Sequence, residues 1–138
     1  MEYHEIRNAQ DVSDFLSETN GLHDGYIVSA NYQHQGYVLG NPMLIDPQKS
    51  KLVLNVMVTS INNTLVELVF EDIRNFQIKD ANYDLLDSSI VFSEDGSVTW
   101  CGDYSCEPDV LRDANYVAAG TMKWRIVLQY KTRDASLS

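Results

Sequence analysis

Apolar and polar residues alternate most clearly between Tyr116 and Tyr130, in the run YVAAGTMKWRIVLQY. Tyr116, Ala118, Met122, Trp124, Ile126 and Leu128 fall on one side of the alternation, while Thr121, Lys123, Arg125 and Gln129 fall on the other. A period of two is the mark of a strand with one face in a core. Gly120 marks a bend or bulge within it. The rest of the chain is expected to pair with this strand or to pack on its apolar face.

One helix is expected, from Asn8 to Asn20. Val12, Phe15 and Leu16 lie at i, i+3 and i+4 and form a single apolar stripe. Asn8 with Asp11 resembles an N-cap and first-turn acid pair, and Asn20-Gly21 is a stop that tolerates a left-handed backbone. Asp11, Asp14 and Glu18 read as the solvated face.

Strands are expected at Tyr26–Tyr32 and Leu52–Thr59, with a turn at His34–Gly36 and a loop from Gly40 to Lys51 between them. In the second strand Leu52, Leu54, Val56 and Val58 point one way, and Val53 and Met57 imply some cover on the other face. That favours a central position. Asn62-Asn63 turns the chain into a return strand, Leu65–Phe70, which makes a hairpin. Asp72–Asp80 reads as irregular, with Ile73, Phe76 and Ile78 plugging the core. Leu85–Phe92 and Val98–Trp100 form a second hairpin around Glu94-Asp95-Gly96, and Cys101–Asn115 reads as an acidic loop. Hairpin connections imply antiparallel pairing, and nothing alternates as a parallel βαβ fold would. The expected class is α+β, an N-terminal helix packed on a mainly antiparallel β-sheet or a sandwich-like pair of sheets. A single domain is expected over 1–134, with a frayed tail at 135–138.

Composition changes this picture mainly through charge. Twenty acidic residues against 10 basic ones give a formal net charge of −10, which argues against nucleic acid or an anionic membrane as partner. It permits a basic protein partner. The chain has no apolar stretch near membrane-spanning length, and the polar MEYHEIRNAQD start does not read as a secretory signal. A cytoplasmic setting is therefore expected, with Cys101 and Cys106 as free thiols.

Two places carry candidate chemistry. Asp103, Glu107, Asp109 and Asp113 crowd one loop, and Glu94 and Asp95 sit at a hairpin tip. If the two meet, they form a negative patch suited to Lys and Arg on a partner. His23-Asp24 is the alternative site, a base or ligand beside an acid. Strand neighbours point to opposite faces, so the pair shares a site only if the backbone turns there. An enzyme centred on it also needs a third group, such as Asp103. Walker, G-x-S-x-G, H-E-x-x-H and EF-hand patterns are absent, and no cofactor or metal is expected. Lys123 and Arg125 are placed to pair with Glu67 or Glu71 if those strands are neighbours.

The segments Leu22-His23-Asp24 with Ile27, Phe70-Glu71-Asp72-Ile73 and Lys123-Trp124-Arg125 together resemble small, uncharacterised bacterial domains. Some of these are similar to immunity proteins of polymorphic toxin systems. The resemblance brings no catalytic residues and implies a small, acidic, cytoplasmic binder. The leading expectation is thus a non-enzymatic acidic binding protein, an immunity-type inhibitor of a basic toxin. The alternatives are a small metal-dependent or acid–base enzyme at His23 and Asp24, or an oligomerisation module whose Tyr116–Tyr130 edge pairs in a homodimer.

Overall fold

Asn8 starts the helix that the periodicity predicts. The computed structural model describes residues 2–34, 50–79 and 84–129, and in it α1 runs Ala9–Thr19. Asn8 is extended, and its Oδ1 accepts the Asp11 amide at 2.9 Å. The Asp11 carboxylate in turn accepts the Arg7 amide at 2.9 Å. This is a capping exchange in which the short Asp side chain serves a donor just outside the helix. Asn20, at φ 54°, ends the helix in the left-handed region, as the Asn-Gly stop predicts.

The strands are β1 (His4–Glu5), β2 (Gly25–His34), β3 (Ser50–Val58), β4 (Thr64–Gln77), β5 (Ser89–Phe92), β6 (Val98–Cys101) and β7 (Tyr116–Gln129). They form one sheet in the order β2-β3-β4-β7-β6-β5, with β1 also paired to β7. Every pairing is antiparallel. The architecture is therefore α+β, with one sheet and not two among the described residues. β3 lies between β2 and β4 and buries Leu52, Leu54, Val56 and Val58 while its other face is half-covered, as the pattern predicts. Both hairpins form. Asn62 and Asn63 are left-handed at φ 60° and 53° in the first, and Gly96 at φ 87° in the second.

β7 departs from its pattern in one instructive way. Met122 and Trp124 are buried, but nearer its start the buried residues are Val117 and Ala119, not Tyr116 and Ala118. The inward set has slipped by one residue. β4 slips with it, since Phe70 pairs with Met122 and Ile73 with Ala119. Both strands spend one extra residue at the same place, so the pairing stays in step while the faces exchange. Asp72 supplies the turn with φ 59°. Gly120 supplies the room, because a Cβ there would lie 2.5 Å from Asp72 Oδ2 and 2.8 Å from Asp72 Cβ.

Three expectations are corrected by packing. The stretch expected to be irregular is mostly strand, because β7 is long enough to pair β4 as far as Gln77. Ile73 and Ile78 pack against the core, whereas Phe76 stays exposed with its ring 5.2 Å from that of Tyr32. The strand expected from Leu85 starts only at Ser89. Leu85 instead leaves the ladder to exchange hydrogen bonds with the β2 entrance, Asp24 N–H to Leu85 O at 3.0 Å and Leu85 N–H to Gly25 O at 2.7 Å, and is fully buried. The loop after Cys101 contains a single helical turn, α2 (Pro108–Leu111), begun by a proline that needs no N–H partner there. The His34–Gly36 turn, most of the Gly40–Lys51 loop and the 135–138 tail fall largely or wholly outside the described residues; Ser50 and Lys51 belong to β3.

The core is pinned by two indoles. Phe15 meets Trp124 edge-on at 5.5 Å and seats α1 on the sheet. Trp100 lies 6.1 Å from Phe70, and its Nε1–H donates to the Ser88 hydroxyl at 3.0 Å. β7 is interior, with β4 on one side and β6 and β1 on the other. On that second side β6 pairs with Tyr116–Ala119 and β1 with Lys123 and Trp124.

Two outcomes are expected in chemical denaturation. Phe15→Ala removes the side chain that seats the helix and costs about 3–5 kcal/mol. Gly120→Ala costs about 1–3 kcal/mol by overpacking, and Asp72→Gly relieves part of that, which a double-mutant cycle reads as non-additivity.

Candidate functional site

Residues near the start of the chain build one wall of a groove. β1 pairs His4 with Trp124 and Glu5 with Lys123, and Ile6 N–H donates to Met122 O at 2.9 Å. The two-residue period puts His4 on the helix side, where its ring lies 4.6 Å from that of Trp124. Tyr3 lies on the other side between two cations, with Lys123 Nζ 4.7 Å and Arg125 Cζ 4.5 Å from the ring centre. Its hydroxyl donates to Glu67 Oε1, which raises the Tyr3 pKa. Arg125 Nε reaches Glu67 Oε1 at 3.1 Å, and Lys123 Nζ lies 3.4 Å from Glu71 Oε1. These are the ion pairs the sequence anticipated. Their added role, clamping Tyr3 and with it β1, was not legible.

Between β1 and α1 lies a groove of about 440 Å³. Tyr3, His4 and Trp124 contribute its rings, Glu5, Asp11, Asp14 and Glu18 contribute four carboxylates, and Arg7 and Lys123 contribute two cations. A second hollow of about 310 Å³ shares His4, Glu18 and Trp124 and adds Glu2 and Ile126. Arg7 offsets part of the charge, 3.5 Å from Glu5 and 3.9 Å from Asp11. Asp14 takes only the neutral Gln10 amide, at 2.9 Å. No cation among the described residues pairs with Asp14 or Glu18. The helix acids, read from sequence as a solvated face, thus line a concavity.

The expected acidic patch is divided. Glu94 and Asp95 sit at the β5–β6 tip, beside Val98, while Asp103 to Asp113 follow Cys101 at the other end of β6. Three of the six acids are already in ion pairs: Asp95 with Arg74 at 3.3 Å, Asp109 with Arg112 at 3.4 Å and Asp113 with Lys79 at 3.7 Å. Hydrogen bonds from Ser97, with help from Arg74, hold the Asp95 carboxyl at about 2. Asp103 is turned to its own loop, its Oδ1 accepting the Tyr104 amide at 2.6 Å and its carbonyl the Ser89 hydroxyl at 2.8 Å.

His23 and Asp24 do come together. Asp24 is left-handed at φ 60°, which supplies the backbone turn the pair needs, and Asp24 Oδ2 lies 3.5 Å from His23 Nε2. The other ring nitrogen, Nδ1, donates to Leu86 O at 2.6 Å. His23 thereby ties the β2 entrance to the Leu86 strand-free segment. That hydrogen bond, followed by the charges of Asp24 and Asp87, raises the His23 pKa. Among the described residues no three His, Cys, Asp or Glu side chains are gathered to hold a metal, and no helix is long and apolar enough to cross a membrane. No protein-family model, curated protein or solved structure matches the chain.

A raised histidine pKa fixes the sign of its pH dependence. The protonated ring contributes stability below its ordinary pKa of 6.5, and the contribution is lost as pH rises through the folded value. Thermal melts should therefore show wild type above His23→Gln at about pH 5.5, with the gap narrowing by about pH 8.5. A gap independent of pH would mean that the latch does not depend on charge.

Proposed function

We propose that the chain is a non-enzymatic binding protein whose groove beside α1 takes a basic segment of a partner protein, as an immunity-type inhibitor takes a basic toxin. The observation that supports this best is the pairing of concavity with unmatched charge. Asp14 and Glu18 line a groove of about 440 Å³ in which four carboxylates outnumber the two cations, Arg7 and Lys123, and neither acid is in an ion pair among the described residues. Carboxylates at the rim attract Lys and Arg over a Debye length, and the His4 ring offers an apolar surface for their stems. The net charge of −10 adds long-range steering toward a basic partner and repels nucleic acid and anionic lipid. In this reading the setting is the cytoplasm. The Asp103–Glu107 loop is a second acidic contact at most, because the hollow beside it is lined by a single carboxylate, Glu107.

The test compares three immobilised baits in host lysate at low salt: wild type, Asp14→Lys with Glu18→Lys, and Asp103→Lys with Glu107→Lys. A basic protein retained by wild type and released by rising salt should be lost from the groove variant and kept by the loop variant. Measured directly, its affinity for the groove variant should fall about tenfold or more at low salt, with a shallower salt dependence. Equal retention on wild type and groove variant, or none on wild type, overturns the reading.

A further inference from the structure

The two cysteines, five positions apart in sequence, are brought together by the fold. Cys101 ends β6 and pairs with Ser89 of β5 and Tyr116 of β7. Trp100 points into the core, so the alternation sends Cys101 to the opposite face of the sheet, with Thr99. The chain then doubles back over that face. Gly102 N–H donates to Asn115 O at 2.8 Å, and the Ser89 hydroxyl holds Asp103 O. Cys106 is thereby laid over the neighbours of Cys101, its Sγ 3.4 Å from Ser89 O and 3.9 Å from Thr99 O. Ser89 is the cross-strand partner of Cys101, so the Cys106 sulfur lies beside the position of Cys101, and both are free thiols.

Their surroundings differ in the way an exchange site needs. Cys106 is half-buried and lines a hollow of about 420 Å³ with Ser89, Val91, Tyr104, Ser105 and Glu107. Cys101 is fully buried beneath it. A reagent in the hollow meets Cys106 first. We propose that Cys106 and Cys101 form a thiol–disulfide exchange site, with Cys106 the attacking thiol toward a small-molecule disulfide and Cys101 the resolving thiol.

The proton distribution agrees with this order. The hydrogen bond from the Cys101 thiol lowers the Cys106 pKa, against burial and the charge of Glu107. The same hydrogen bond, burial and the Cys106 charge push Cys101 far up. Of the two, Cys106 therefore gives up its proton more readily, and Cys101 is released from the resulting charge once Cys106 is capped.

With oxidised glutathione as the disulfide, the Cys106 thiolate attacks one sulfur. The glutathione S–S bond breaks, a Cys106–glutathione disulfide forms, and the first glutathione leaves as a thiol with the proton Cys106 gave up. Cys101 then loses its proton to the second departing glutathione and attacks the Cys106 sulfur. The mixed disulfide breaks and the Cys101–Cys106 bond forms. Two protein thiols are oxidised and one disulfide is reduced to two thiols.

The experiment incubates the full chain in glutathione buffers of graded ratio, quenches with acid and reads intact mass. Wild type should lose two hydrogens and hold no glutathione, reversibly. Cys101→Ala should stop at one glutathione adduct on Cys106, and Cys106→Ser should gain none at the rate of wild type. Iodoacetamide should alkylate Cys106 at least about tenfold faster than Cys101 in native wild type. The wild-type measurements need no variant to fold. A dithiol that persists in oxidised glutathione alone, a stable adduct on wild type, or equal alkylation of both cysteines overturns the proposal.

Discussion

The contact of Asp72 with Gly120 is the constraint on which the sheet depends. β4 and β7, each of 14 residues, form its central pair. A twisted ladder of that length with strict alternation would carry its inward set past the reach of one small core. The paired slip resets both strands at once. On one side of it Met122 and Trp124 lie under α1; on the other, Val117 and Ala119 lie beside Val98 and Trp100 of β6. A left-handed aspartate costs of order 1 kcal/mol. The surroundings that hold it include Arg74, whose Nη2 lies 3.0 Å from Asp72 Oδ2.

The same economy of parts shapes the surface. Trp124 holds α1 through Phe15 on one edge and stacks with His4 on another, so the residue that closes the core also backs the groove. Lys123 and Arg125, its neighbours along β7, turn to the opposite face and clamp Tyr3. Three consecutive residues thus fix the helix, the first strand and the cleft between them. The groove's acids lie on α1 and on the segment before it, and only Asp11 is committed to capping.

Local order in the chain was legible wherever one element carried the whole signal. The helix announced its stripe, its cap and its stop, and both hairpins announced their turn residues. Features that need two distant segments were not legible. The slip at Asp72 is invisible in β7 alone, where Gly120 marks a place but no direction. β1 is two residues long, too short for a period, and exists because Trp124 and Lys123 present an open edge. The groove joins residues near 4, 14 and 124, so its acids looked like an ordinary solvated face. The hairpin-tip acids Glu94 and Asp95 and the loop acids after Cys101 leave β6 from its opposite ends. His23 and Asp24 were recognised as needing a backbone turn, but whether Asp24 would adopt it was settled by its packing against Leu85.

β7 is the last strand among the described residues and lies at the centre in space, between β4 and both β6 and β1. His4 meets Trp124 across nearly the whole chain. During synthesis, the earlier strands emerge with their apolar faces uncovered and no partner for the inner edge of β4. A hairpin of β3 and β4 can form early, but the core cannot close until β7 has been made. Folding is then dominated by distant pairings, which slow folding and keep the apolar faces of the earlier strands uncovered until β7 joins them.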